Sequence, residues 1–100
     1  VKSLIYVEKL DIEGKGALGL KVELPSSPPL LLIVGNKGFI MCGYLNIEVA
    51  EKLQVAAAIV SGVKNFDDVL NAEIKAVTSR AKELGINVGL KGKEALKKLI

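Results

Sequence analysis

Apolar and polar positions alternate through the first quarter of the chain, and the alternation breaks at glycines. Leu4 to Ile12 and Ala17 to Leu24 flank Glu13-Gly14-Lys15-Gly16, with Leu18, Leu20, Val22 and Leu24 on one face of the second segment. Period-two patterning on either side of a glycine turn predicts a β-hairpin. Pro25-Ser26-Ser27-Pro28-Pro29 follows. Proline has no amide to give to a ladder, so this stretch predicts a surface connection. Leu30 to Val34 and Phe39 to Leu45 then bracket Gly35-Asn36-Lys37-Gly38. Glycine and asparagine accept the positive φ of a tight turn, which predicts a second hairpin. Its strands are apolar at nearly every position, the pattern of strands covered on both faces, and are expected at the sheet centre.

The period then lengthens. Asn46 is placed to cap a helix whose stripe is Ile47, Val49, Ala50 and Leu53, beside Glu48, Glu51 and Lys52. Val55 to Val60 is an apolar run too short for a helix and bounded by Ser61-Gly62, so it reads as a buried strand. Asn65, with Asp68 three residues on, resembles a capping box opening a short helix through Phe66, Val69 and Leu70. Ile74, Val77, Ala81 and Leu84 are spaced by three and four, which predicts a longer helix over Ala72 to Leu84, with Lys75, Arg80 and Lys82 in solvent. Gly85 stops it as a left-handed C-terminal residue. Ile86 to Leu90 reads as a short extended piece, and Lys93 to Ile100 as a last helix with Ala95, Leu96 and Leu99 inward.

This order implies an α+β fold: a mixed β-sheet of about six strands, two N-terminal hairpins among them, with three to four helices mainly on one side. One hundred residues enclose one core, so residues 1–100 are read as a single domain. The longest apolar runs are five and six residues. A bilayer span needs about twenty, so no membrane helix is expected. The start lacks the basic flank and apolar stretch of a secretion signal, and a cytoplasmic location is the expectation. One cysteine cannot pair within the chain, which agrees with a reducing compartment.

Net charge is +3, and the whole excess lies in residues 64–100, which hold eight basic and five acidic residues. That could draw a small anionic ligand. Nucleic acid is disfavoured, because the basic residues are interleaved with acids and only four aromatics are present to stack on bases.

Gly14-Lys15-Gly16-Ala17-Leu18-Gly19 matches the dinucleotide-binding fingerprint letter for letter. That chemistry needs a helix to follow, whereas a strand pattern and Pro25 follow here. The turn before the last helix is the better anion candidate: Lys91, Gly92 and Lys93 combine backbone amides with lysines, although the Walker spacing is missing. Cys42 lies in the apolar strand Phe39-Ile40-Met41-Cys42-Gly43-Tyr44. A free cysteine there commonly serves as a small buried apolar residue. The alternative is a reactive thiol, with Gly43 admitting a ligand to the backbone. The chain has no histidine, which removes Cys-His catalysis and imidazole metal sites, so no metal and no cofactor is expected. A thiolate would have to be favoured by Lys64, Lys37 or a helix N-terminus.

Gly38-Phe39-Ile40-Met41-Cys42-Gly43, Gly62-Val63-Lys64, Leu84-Gly85-Ile86 and Val88 through Leu96 together resemble the YunC-like family of small prokaryotic domains of unknown function. The resemblance spans almost the whole chain, and its most specific parts are Met41-Cys42-Gly43 and the segment from Gly89 to Leu96. Lys64 and Lys93 stand where the resemblance implies arginine, which keeps the charge and loses bidentate geometry. The family implies a stand-alone α+β domain and brings no established activity. Two readings follow. One is a non-enzymatic ligand-binding or interaction domain that forms a homo-oligomer, with Met41, Cys42, Gly43 and Lys64 as candidate ligand residues. The other is a thiol-dependent enzyme or carrier using Cys42.

Overall fold

The structure is a computed structural model and describes residues 5–26, 29–44 and 46–100. Leu4, Ser27, Pro28 and Leu45, at which the first strand, the proline-rich connection and the fourth strand were expected, lie outside the described residues. Six strands form one sheet in chain order: β1 (Ile5–Ile12), β2 (Lys15–Val22), β3 (Leu30–Val34), β4 (Phe39–Met41), β5 (Ala57–Ile59) and β6 (Ala76–Val77). Neighbours are antiparallel except β4 and β5, which run parallel. A parallel pair needs a crossover, and helix α1 (Ile47–Lys52) supplies it. Helices α2 (Phe66–Asn71), α3 (Ser79–Glu83) and α4 (Gly92–Leu99) complete the chain. This is the mixed sheet with two N-terminal hairpins that the patterning predicts.

Local chemistry accounts for the turns and caps. Glu13 and Gly14 both take positive φ, 52° and 85°, as a two-residue type I′ hairpin requires. The Asp11 carboxylate accepts the Gly14 N–H at 2.9 Å. The dinucleotide-like glycines are thus a hairpin turn and a strand, and at Gly19 a Cβ would meet the Phe66 ring at 2.9 Å. Asn46 accepts the N–H groups of Glu48 and Val49, and Asn65 accepts that of Asp68.

The second hairpin differs from expectation. Gly35 and Gly38 do not adopt positive φ. They are small because the chain passes close by: a Cβ at Gly35 would strike the Leu99 carbonyl, and one at Gly38 the Ala56 carbonyl.

One sheet face, built from Leu31, Ile33, Ile40 and Ala58, is buried beneath Val69 of α2, Ala81 of α3, and Ala95, Leu96 and Leu99 of α4. Each large side chain sealed there contributes roughly 2 kcal/mol of transfer free energy. The Lys97 ammonium ties α4 to the first hairpin through Glu13, at 3.0 Å, and also meets Glu94 at 3.3 Å. Those two hydrogen bonds raise its pKa above the usual lysine value. The opposite face carries Ile5, Val7, Leu18 and Val34, which stay 58 %, 64 %, 47 % and 36 % exposed. The alternation that predicts β2 therefore points Leu18 and Leu20 away from the helices, while Ala17 and Gly19 point in.

The helix expected over Ala72 to Leu84 is absent. Residues 76–77 form β6, and only Ser79–Glu83 is helical. Ile74 exchanges backbone bonds with the loop after α3, donating to the Leu90 carbonyl and accepting from Gly89. Lys75 donates to Ile59 and Thr78 to Ala57, so tertiary pairing overrides the helical spacing. Burial still follows the expected pattern, with Ile74 and Ala81 buried and Lys75, Arg80 and Lys82 exposed. Ile86 to Leu90 is likewise not a strand; its one ladder contact is a bridge just beyond it, between Lys91 and Glu73.

Candidate functional site

Because β4 and β5 run parallel, their carboxyl ends open at the same edge of the sheet, where open α/β sheets hold ligands. After β4 the chain turns through Cys42, Gly43 and Tyr44; after β5 it turns through Ser61 and Gly62 and enters α2 by Val63, Lys64 and Asn65. These two turns and Pro29 enclose a cavity of about 310 Å³. Its walls are mostly apolar, and Lys64 is the only charged side chain among the described residues that line it.

Cys42 is at once a ladder residue and a wall of the cavity. Its N–H donates to the Leu31 carbonyl at 3.0 Å. In return the Leu31 N–H donates to the Cys42 Sγ at 3.4 Å, so the sulfur accepts where a ladder carbonyl ordinarily would. The Sγ itself lies 4.0 Å from the Pro29 carbonyl. At 5 % exposure the residue is buried, yet it borders the space.

Gly62 has φ 71°, so its backbone conformation explains the glycine. Gly43 is different. Its φ is not positive, and a Cβ there meets no atom of the described residues within 4 Å. Each of the other nine glycines has either a positive φ or a neighbour within 3.4 Å of that position. Of the other candidates, Met41 pairs with Leu32 and Ile59 and, by strand alternation, faces away from Cys42. Lys64 lines the cavity; its N–H is held by the Asp68 carboxylate at 3.0 Å, and it forms no ion pair among the described residues.

Lys91, Gly92 and Lys93 open α4 away from these lining residues. The Gly92 N–H donates to the Ala72 carbonyl at 2.8 Å, and the Lys91 ammonium donates to the Asn71 carbonyl at 3.3 Å. Both groups therefore secure α4 to the end of α2. Pro29, Tyr44, Ser61 and Val63 line the cavity without having stood out in the sequence. Tyr44 and Val63 adjoin singled-out residues, but nothing local marks Pro29, which arrives from the connection before β3. No group of three or more acidic or cysteine side chains able to hold a metal occurs among the described residues.

A family model described as a domain of unknown function, DUF1805, matches residues 41–99, a span that includes Cys42 through Lys64. The chain is 34 % identical to the uncharacterized protein YunC of Bacillus subtilis (strain 168), over 97 % of this chain and 99 % of that one. Its fold is similar to the crystal structure of a protein of unknown function, TA1206, from Thermoplasma acidophilum. The TM-score is 0.91 at 38 % identity, covering 96 % of this chain and 93 % of the other. On the family match and the near full-length likeness to YunC, the chain belongs to the DUF1805 family, the YunC-like domains of unknown function.

Proposed function

We propose that this is a non-enzymatic domain that binds a small anionic molecule with an apolar body in the cavity at the carboxyl ends of β4 and β5, and that it does so as a homo-oligomer. Gly43 carries the reading: among the described residues neither its own backbone nor a neighbour explains the missing side chain, and it borders the cavity. An approaching ligand supplies the explanation. The apolar walls suit a hydrocarbon or aryl body, and Lys64 suits a carboxylate or phosphate.

Butyrate, benzoate and inorganic phosphate at millimolar concentration test it. The organic acids are expected to shift the backbone amide signals of Gly43, Gly62 and Lys64. Gly43→Ala should weaken those shifts while leaving the melting temperature within about a degree of the parent, since the added Cβ meets no described atom within 4 Å. Lys64→Met should weaken them. The absence of any shift from all three compounds would reject the proposed ligand class.

The thiol reading has one supporting observation, that the Cys42 sulfur borders the cavity. Iodoacetamide labelling of the folded protein decides between the two. At 5 % exposure and with the sulfur accepting a ladder hydrogen bond, labelling is expected to be slower than for a free thiol. Faster labelling would favour thiol chemistry instead.

Self-association is supported by the open sheet face. Ile5 pairs with Val22, Val7 with Leu20 and Leu18 with Val34, so their side chains form one continuous apolar surface away from the helices. A face of this kind is ordinarily covered. Sedimentation equilibrium is expected to give a multiple of the 10.6 kDa chain mass, and the paired change Val7→Lys with Leu18→Lys should return the monomer. A monomeric parent protein at high micromolar concentration would remove this part of the reading.

A further inference from the structure

At the amino ends of the same two strands lies a second, larger space, a groove of about 650 Å³. Its lining is mixed where that of the first cavity is mostly apolar. Lys37 and Arg80 bring two cations, Asn36 and Gln54 bring two carboxamides, and Phe39 and Leu84 give an apolar floor. The one acid, Glu83, meets Arg80 through Nε at 3.7 Å with both side chains more than half exposed, too loose a pair to neutralise the guanidinium.

An independent feature marks Gln54. Helix α1 ends in a complete Schellman motif: Gln54 N–H donates to the Glu51 carbonyl and Val55 N–H to the Ala50 carbonyl. The motif needs a left-handed residue at position 54, and Gln54 has φ 58°. Glycine fills such a position without steric penalty, and asparagine is the usual second choice. A glutamine there is less stable than a glycine would be, and its side chain borders the groove.

We propose that this groove binds a small organic phosphate of the nucleoside monophosphate class. The phosphate is held by Lys37 and Arg80, the ring system rests on the apolar floor, and the carboxamides of Asn36 and Gln54 hydrogen-bond its polar edge. The volume suits a molecule of that size, arginine suits phosphate geometry, and carboxamides match the paired donor and acceptor of a base edge.

Titration of the full 100-residue chain with AMP, read by amide chemical shifts, tests the assignment, with adenosine and inorganic phosphate as parallel arms. AMP is expected to bind with sub-millimolar affinity and to perturb residues 36–39, 54–56 and 80–84, with each fragment alone much weaker. Gln54→Gly should raise the melting temperature by several degrees, because it relieves the left-handed glutamine, and should weaken AMP by about ten-fold or more. Arg80→Ala should also weaken AMP, whereas Lys15→Ala, in the first hairpin, should not. Undiminished AMP binding by Gln54→Gly would overturn the proposal. So would inorganic phosphate or adenosine matching AMP, or the absence of saturable AMP binding at millimolar concentration.

Discussion

Gly92→Ala is expected to lower folding stability by about 3 kcal/mol, read as a shift in the midpoint of urea denaturation. In an exposed helix the same change would gain about 1 kcal/mol, because alanine is the better helix former, so the sign alone is decisive. Here Gly92 is buried at the start of α4, and its N–H donates to the Ala72 carbonyl. A Cβ would run into the Val69 carbonyl and lie 3.3 Å from the Leu70 Cα. Those atoms are backbone and cannot rotate away. Relief would require α2 and α4 to separate, and their facing residues Val69, Leu96 and Leu99 are core. Gly43→Ala, with no described atom within 4 Å of the new Cβ, provides the control and should be near neutral. A stabilised Gly92→Ala protein would show that α4 does not meet α2 in this way.

Thr78→Val is expected to cost 3 kcal/mol or more, an estimate of roughly 1 kcal/mol for each hydrogen bond lost from a buried site. Thr78 is fully buried. Its hydroxyl donates to the Val55 carbonyl at 2.7 Å and accepts the N–H groups of Ala57, at 3.1 Å, and Ala81, at 3.3 Å. One oxygen therefore joins the entry to β5 with the first turn of α3. Valine keeps the shape and leaves three backbone groups without their partner. Serine keeps the hydroxyl and loses one methyl group, so Thr78→Ser should cost only about 1 kcal/mol. Equal losses for the two variants would show that the hydroxyl is not the link.

The candidate site was partly legible before folding. Cys42, Gly43 and Lys64 stand out as residue types, and the cavity does bring them together. Met41, one residue from Cys42, falls on the other face, as strand alternation dictates. Pro29 carries no signal of its own, because what places it at the cavity is the continuation of the β3–β4 pairing to Leu31 and Cys42, which brings the Cys42 sulfur to a residue thirteen positions earlier in the chain. Gln54 was unmarked for a different reason. Its significance depends on a left-handed backbone that the letters at positions 53–55 do not announce.

Where structure is local, the sequence by itself determined it. The type I′ turn at Glu13-Gly14 and the caps Asn46 and Asn65 are set by interactions within a few residues, so pattern and chemistry agree. The apolar runs of β3 and β4 do lie at the sheet centre, but only Leu31, Ile33 and Ile40 are sealed, so the expected cover on both faces is absent: the helices lie on one side. What only the tertiary structure decided rests on partners far along the chain. Ile74, Val77, Ala81 and Leu84 carry helical spacing, yet the backbone from Ile74 to Thr78 pairs with Ile59, Ala57 and Leu90, because non-local hydrogen bonds outweigh a propensity of a few tenths of a kcal/mol per residue. The face of β2 that meets the helices was decided in the same way. Leu18 and Leu20 are the more apolar choice, but Phe66 needs the space that only Gly19 leaves, and packing turned the small side inward.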